Sequence, residues 1–203
     1  MADSAADQAL LTAASRDHAA GVRAALDEGA DINARDNHGQ TALLFAVQRN
    51  DLALALDLIQ RGADINAEAM NHDTPWLLAG ALGRTEILVA MLDTGKVDYS
   101  IRNRYGGNAL IPACERGHVE TVRLLLDRSK IDVDHINNLG WTGLLEAVIL
   151  SDGGPRHIEI VRMLLAAGAN PNIADKDGVT PLQHARDRRY DAIAALIRDA
   201  GGR

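Results

Sequence analysis

The string GADINA stands at residues 29–34 and returns at 62–67, a spacing of 33 residues. A chain that copies itself at a period of this length folds as a stack of equal supersecondary units, each too small to bury its own apolar face. Weaker copies follow as GKVDYS from Gly95, SKIDVDH from Ser129 and GANPNI from Gly168. A second marker keeps step with the first: TALLFA from Thr41, TPWLLA from Thr74, NALIPA from Asn108, TGLLEA from Thr142 and TPLQHA from Thr180. The alanines that close these strings, at 46, 79, 113, 147 and 185, are spaced by 33, 34, 34 and 38 residues.

Helix chemistry explains the pattern. Thr41, Thr74, Asn108, Thr142 and Thr180 are side chains that cap the first N–H groups of a helix. Pro75 and Pro181 then fall at the first helical position, where a missing N–H costs nothing. Each first helix is short, about two turns, and Asn50, Gly83 and Gly117 separate it from a second helix. Val119, Val122, Leu125 and Leu126 lie at helical spacing on that second helix. Gly29, Gly62, Gly95 and Gly168 end it, and a hairpin segment leads to the next repeat.

With T-P-L-H-x-A, G-H-x-E-I-V-x-L-L-L and G-A-D-V-N-A on one 33-residue period, the chain resembles the ankyrin repeat. GHVETVRLLL (117–126) and RHIEIVRMLLAAGANPN (156–172) carry the resemblance most fully. DTPWLLAG, GWTGLLEAVILSDGGPRH and DGVTPLQHA are similar to a bacterial subgroup of that family, which implies a bacterial origin. The resemblance covers nearly the whole chain. It implies an all-α solenoid of about six helix-turn-helix repeats with short β-hairpin tips, in one domain over 1–203. The repeat boundaries are 1–35, 36–68, 69–102, 103–136, 137–174 and 175–203. The end repeats read as caps: the first lacks the T-P-L turn, and the last places Arg198 where Ile59, Leu92, Leu126 and Leu165 stand in the others.

Composition narrows the function. A net charge of −7 argues against binding nucleic acid or an anionic membrane surface. No apolar run reaches 18 residues, and the first ten residues are not a secretory signal. The expected location is the cytoplasm, or the periplasm where a signal has been removed. A single cysteine, Cys114, excludes an internal disulfide and a thiolate cluster. Cys114 aligns with buried positions and reads as a small hydrophobe. Seven histidines form no metal-binding spacing. His118 and His157 match the repeat's own G-H-x-E position, and His72 replaces a turn glycine and is expected at positive φ. No metal, cofactor or catalytic residue is expected.

The resemblance places partner contacts on the residues after the hairpin Asp and at the ends of the first helices, facing a concave surface. In this chain those are Asn37, His38 and Gln40; Met70, Asn71, Asp73 and Leu82; Arg104, Tyr105 and Arg116; Leu139, Trp141 and Leu150; and Lys176 and Asp177. Only six aromatic residues occur, and Tyr105 and Trp141 are among these positions. Trp, Tyr and Arg dominate protein interfaces, so a central hot spot around Tyr105, Arg116 and Trp141 is expected. The partner is another protein, bound by a monomer.

Two alternatives stand beside this reading. Glu146 and His184 occupy the x of T-P-L-H-x-A in neighbouring repeats, where Phe45, Leu78 and Pro112 stand elsewhere. With Glu115 they form a candidate small-molecule or catalytic site. The SDGGP insertion at 151–155, between the two helices of repeat five, would cover it. It is no Walker loop, since no Gly-Lys-Ser/Thr follows. The other alternative is an immunity or inhibitor protein that blocks a toxin.

Overall fold

The structure is a computed structural model that describes residues 4–203. Twelve α-helices follow one another in six pairs among those residues. They are α1 (Ala5–Ser15) with α2 (Ala19–Asp27), α3 (Ala42–Arg49) with α4 (Leu52–Gln60), and α5 (Pro75–Ala81) with α6 (Thr85–Asp93). The second half holds α7 (Leu110–Glu115) with α8 (Val119–Arg128), α9 (Gly143–Ile149) with α10 (Pro155–Ala166), and α11 (Pro181–Asp187) with α12 (Asp191–Asp199). The described residues contain no strand. The hairpin tips are tight turns, because side-chain carboxylates and amides bind the turn N–H groups that a strand ladder would otherwise use.

The expected caps are formed. The hydroxyls of Thr41, Thr74, Thr142 and Thr180 accept from the N–H groups of Leu44, Leu77, Leu145 and Gln183 at 3.2, 3.1, 3.2 and 3.3 Å. Asn108 accepts from Leu110 and Ile111 at 3.1 and 3.2 Å. The first pair starts differently, with a capping box in which Ser4 and Asp7 exchange bonds. Asn50, Gly83 and Gly117 turn the chain between paired helices with φ of 60°, 68° and 70°. His72 takes φ 63° in the turn of repeat three, as expected.

The chain divides into two compact units. The first holds the residues up to Ala79 together with Glu86–Arg104. Within it α1 packs on α2 and α3, and α3 on α4. Its core is Leu10, Val22, Leu43, Leu58 and Met91, each fully buried. Trp76 is also buried there, edge-on to Tyr99 with centroids 6.0 Å apart. The second unit holds 80–85 and 105–203. There the first helices α7, α9 and α11 pack in a row, and the second helices α8, α10 and α12 form a parallel row. Leu110, Leu125, Leu145, Ile160 and Ile193 fill the space between them.

The Asn of GADINA joins one repeat to the next. In the first unit, Asn33 Oδ1 accepts from the Asp64 N–H at 2.8 Å and Asn66 Oδ1 from the Asp98 N–H at 3.0 Å. Asp134 and Asn172 do the same for Asn170 and Arg203 in the second unit, both at 2.9 Å. Arg198 is exposed where Ile59 is buried, so the last helix turns a charged face to water.

The insertion in repeat five is partly helix. Pro155, Arg156 and His157 add an N-terminal turn to α10, so only 150–154 remain as loop. Gly153 (φ 68°) takes the turning role of Gly83 and Gly117.

Candidate functional site

The tips are organised by one side chain each. Asp36, Asn137 and Asp175 occupy the same place in three repeats. Their Oδ1 atoms accept two turn N–H groups at 2.8–3.0 Å: His38 and Gln40, Leu139 and Trp141, Asp177 and Val179. Repeat three has Ala69 there, and Asn71 substitutes by accepting from the Asp73 N–H and donating to its carboxylate.

Adjacent tips are stitched within each unit. In the first, the Met70 N–H donates to the His38 carbonyl at 2.9 Å. In the second, the Asn138 N–H donates to the Tyr105 carbonyl at 2.8 Å, and Lys176 Nζ to the Asn138 carbonyl at 2.5 Å. Side chains on these turns therefore stand on a backbone that is already ordered, which lowers the entropy lost on binding.

In the first unit the tips expose Asn37, His38, Met70 and Asn71, with Gln40 and Asp73 half-buried. Met70 is 74% exposed, the most of any large apolar side chain described. A groove of about 1210 Å³ runs beside these tips, and Gln8, Leu11 and Thr12 of α1 line its other side. Arg104, the last residue of this unit, is exposed.

In the second unit Tyr105, Leu139 and Leu150 are each about half exposed, and Lys176 and Asp177 on the last tip are exposed. Ile136, 49% exposed, lies outside the expected set, because it precedes the tip Asn whereas the expected contacts follow it. Trp141 and Leu82 are half-buried. Arg116 is exposed but engaged: its guanidinium donates to the Ala81 carbonyl at 2.6 Å. Arg49 makes the equivalent bonds to the Ala14 and Ser15 carbonyls.

Glu115, Glu146 and His184 are not joined as an acid/base pair. Glu146 is buried, and its Oε1 accepts from Asn137 Nδ2 at 2.8 Å. His184 Nε2 lies 2.7 Å from Asp175 Oδ2, and its Nδ1 faces Arg188. Each link runs within one repeat, from first helix to tip. Burial pushes Glu146 up to about 7, and the nearby Glu115 carboxylate adds to this. The Val179 N–H, with His184, holds Asp175 below the usual carboxylate range. Burial drives the Cys114 thiol well above its ordinary value, which leaves it unreactive. His157 Nε2 bonds the Glu115 carbonyl at 3.0 Å, and His118 bonds the Ala81 backbone. No group of His, Cys, Asp and Glu among the described residues has the arrangement of a metal site. No helix among them is long and apolar enough to cross a membrane.

A sequence profile described as ankyrin repeats (3 copies) matches residues 2–69 and 76–175. The chain belongs to the ankyrin repeat family. The ankyrin repeat protein YahD of Escherichia coli K12 is 45% identical over 114 residues, 56% of this chain and 57% of YahD. The match thus spans less than two thirds of that relative's length. An ankyrin repeat domain from Acinetobacter baumannii AYE, solved by crystallography, is 50% identical with a TM-score of 0.90, covering 96% of this chain and 98% of its own. The ankyrin repeat domain of Bcl-3, a member of the IkappaB family, superposes with a TM-score of 0.81 at 27% identity, covering 96% of this chain and 86% of its own. Ankyrin repeats are in general protein–protein interaction modules, and ankyrin repeat relatives are typically scaffolds without catalysis.

Proposed function

We propose that this ankyrin repeat chain is a non-enzymatic recognition module that binds a partner protein through its tips. The supporting observation is the second unit's stitched tip row, which holds Tyr105, Ile136 and Leu139 half exposed on turns fixed by backbone bonds. Exposed apolar side chains on an ordered frame are what a protein partner can bury at low entropic cost. Tyr105 is the anchor of this surface, Leu139 and Ile136 its apolar flank, and Lys176 and Asp177 its polar rim. In the first unit, Asn37, His38, Met70 and Asn71 present a further contact row. Arg116 contributes less than its residue type suggests, since its guanidinium already holds the Ala81 carbonyl.

Capture of partners from lysate of the source cells, read by mass spectrometry, tests the reading. The same capture with Tyr105→Ala and Leu139→Ala is the control. A specific partner lost with either variant, at unchanged melting temperature, supports it. A partner retained by both variants, or a turnover in substrate screens that Glu146→Gln abolishes, would overturn it.

A further inference from the structure

The net charge of the chain is not shared between its two units. The first unit, residues 1–79 with 86–104, carries 15 acidic and 8 basic residues, so the whole excess of −7 belongs to it. The second unit carries 13 of each and is neutral. The groove of about 1210 Å³ lies in the acidic unit, between α1 and the tips of repeats two and three. A cleft in a unit of one charge sign concentrates ligands of the other sign.

The wall of this groove mixes apolar and anionic groups. Leu11 of α1 and the exposed Met70 supply the apolar part. Asp36 and Glu68 bring two carboxylates against one cation, Arg35. Arg35 donates to the Glu68 carbonyl at 2.7 Å, a neutral acceptor, and pairs with neither carboxylate. Asp36 Oδ1 holds the His38 and Gln40 N–H groups, which are dipoles and leave its charge in place. Glu68 Oε1 meets the His72 ring, and the Glu68 side chain is still 44% exposed. Among the described residues, no lysine or arginine pairs with Asp36 or Glu68. Away from the groove the same unit does pair its charges: Asp57 takes Arg23 and Arg61, and Asp27 takes Arg61. In the second unit Ile136 occupies the register of Glu68, one residue before the tip Asn.

We infer that the groove of the first unit is the docking site for a cationic segment of the partner protein, with Lys or Arg stems on Met70 and Leu11 and charged heads at Glu68 and Asp36. Long basic side chains suit such a wall, because their methylene stems cover apolar surface while the head stays with a carboxylate. The unbranched thioether of Met70 adapts to either stem. An acidic segment would meet the excess charge of the unit. A purely apolar one would strip water from Asp36 and Glu68 without replacing it. The inference rests on the proposed function and adds the chemistry of the partner.

The test needs no natural partner, so the two readings fail separately. Short synthetic peptides that alternate Leu with Lys, Leu with Glu, or Leu with Ser are titrated into the isotope-labelled full chain at low salt and followed by NMR. The Lys peptide should shift the amides of Thr12, His38, Met70 and His72 and leave those of Leu139 and Lys176 in place. It should bind about tenfold tighter than the Ser peptide and weaken as salt rises. Glu68→Gln should lower its affinity about threefold at unchanged melting temperature. Glu28→Gln, which removes an exposed carboxylate at the end of α2, should leave the affinity unchanged. Equal binding of the Glu or Ser peptide, shifts spread over the surface or centred on the second unit, or equal losses in the two variants would each overturn the inference. If the Lys peptide fails to bind while a captured partner is still lost with Tyr105→Ala, the cationic segment is refuted and the recognition module stands.

Discussion

The phenol of Tyr190 donates to the Ser151 carbonyl at 2.7 Å, and its ring lies where a side chain on Gly153 would stand. Tyr190 precedes α12 at the place His118 and His157 hold before α8 and within α10. Those histidines bond the Ala81 and Glu115 backbone, two residues before Gly83 and Gly117. Tyr190 makes the same reach to Ser151, two residues before Gly153. The longer phenol spans the longer connection, and the insertion is held in place rather than added loosely.

Gly153→Ala should destabilise the protein by about 2 kcal/mol or more. The new Cβ would lie 2.5 Å from the Tyr190 ring, and φ there is 68°, a conformation that costs a non-glycine residue. Tyr190→Phe should cost about 1 kcal/mol, one hydrogen bond, and speed exchange at 151–154. Thermal unfolding and hydrogen exchange check both. A neutral Gly153→Ala would show that the loop is not seated on Tyr190.

Stability should decline as pH rises from about 4.5 to 7. Glu146 binds its proton more tightly folded than unfolded, so its contribution is full below its ordinary value and is lost as pH passes about 7. A rise of this size corresponds to on the order of 3 kcal/mol. Denaturant titrations across that range should show the slope in the natural chain and lose it in Glu146→Gln.

Asp175 acts in the opposite sense. Its carboxyl is held below the ordinary range by the Val179 N–H and by His184, so the stability it contributes is present above about 3.8 and lost as pH falls through its folded value. Asp175→Ala removes the acceptor for two turn N–H groups and the His184 bond. A loss of about 2–3 kcal/mol is expected, with faster exchange confined to 175–179. A uniform change across the molecule would contradict this local role.

Deleting 175–203 should bring aggregation or partial unfolding of the second unit. α11 packs on α9 and α12 on α10, so the deletion would open the apolar faces of α9 and α10 that they cover. Circular dichroism and light scattering of the 1–174 fragment decide the matter, and a monomeric fragment with full helicity would refute the capping role of Arg198 and its helix.

Cys114 should resist thiol reagents in the native protein and react in full on unfolding. It is fully buried, and burial raises its thiol well above the range in which thiolate forms. Labelling at neutral pH in native buffer would mean that α7 opens.

The sequence by itself determined the repeat. Its caps, left-handed turn positions and apolar spacing act over three or four residues, so Thr41, Asn50 and Leu125 carry their roles in any chain order that preserves the period. The same local physics anticipated the buried Cys114 and the left-handed His72. What the tertiary structure decided is which polar side chains meet. Periodicity put Glu146 and His184 at one register and suggested a pair, yet each turns instead to the tip of its own repeat, to Asn137 and Asp175. Arg116 has the residue type of an anchor, and its guanidinium closes on the Ala81 carbonyl. The insertion that one alternative made the cover of a site is a short loop whose Ser151 carbonyl accepts from Tyr190, with only Pro155 entering α10. The reason is reach. Period and spacing locate a Cα, but a long polar side chain selects its partner by direction and by what remains unsatisfied nearby, and those exist only once the repeats have packed.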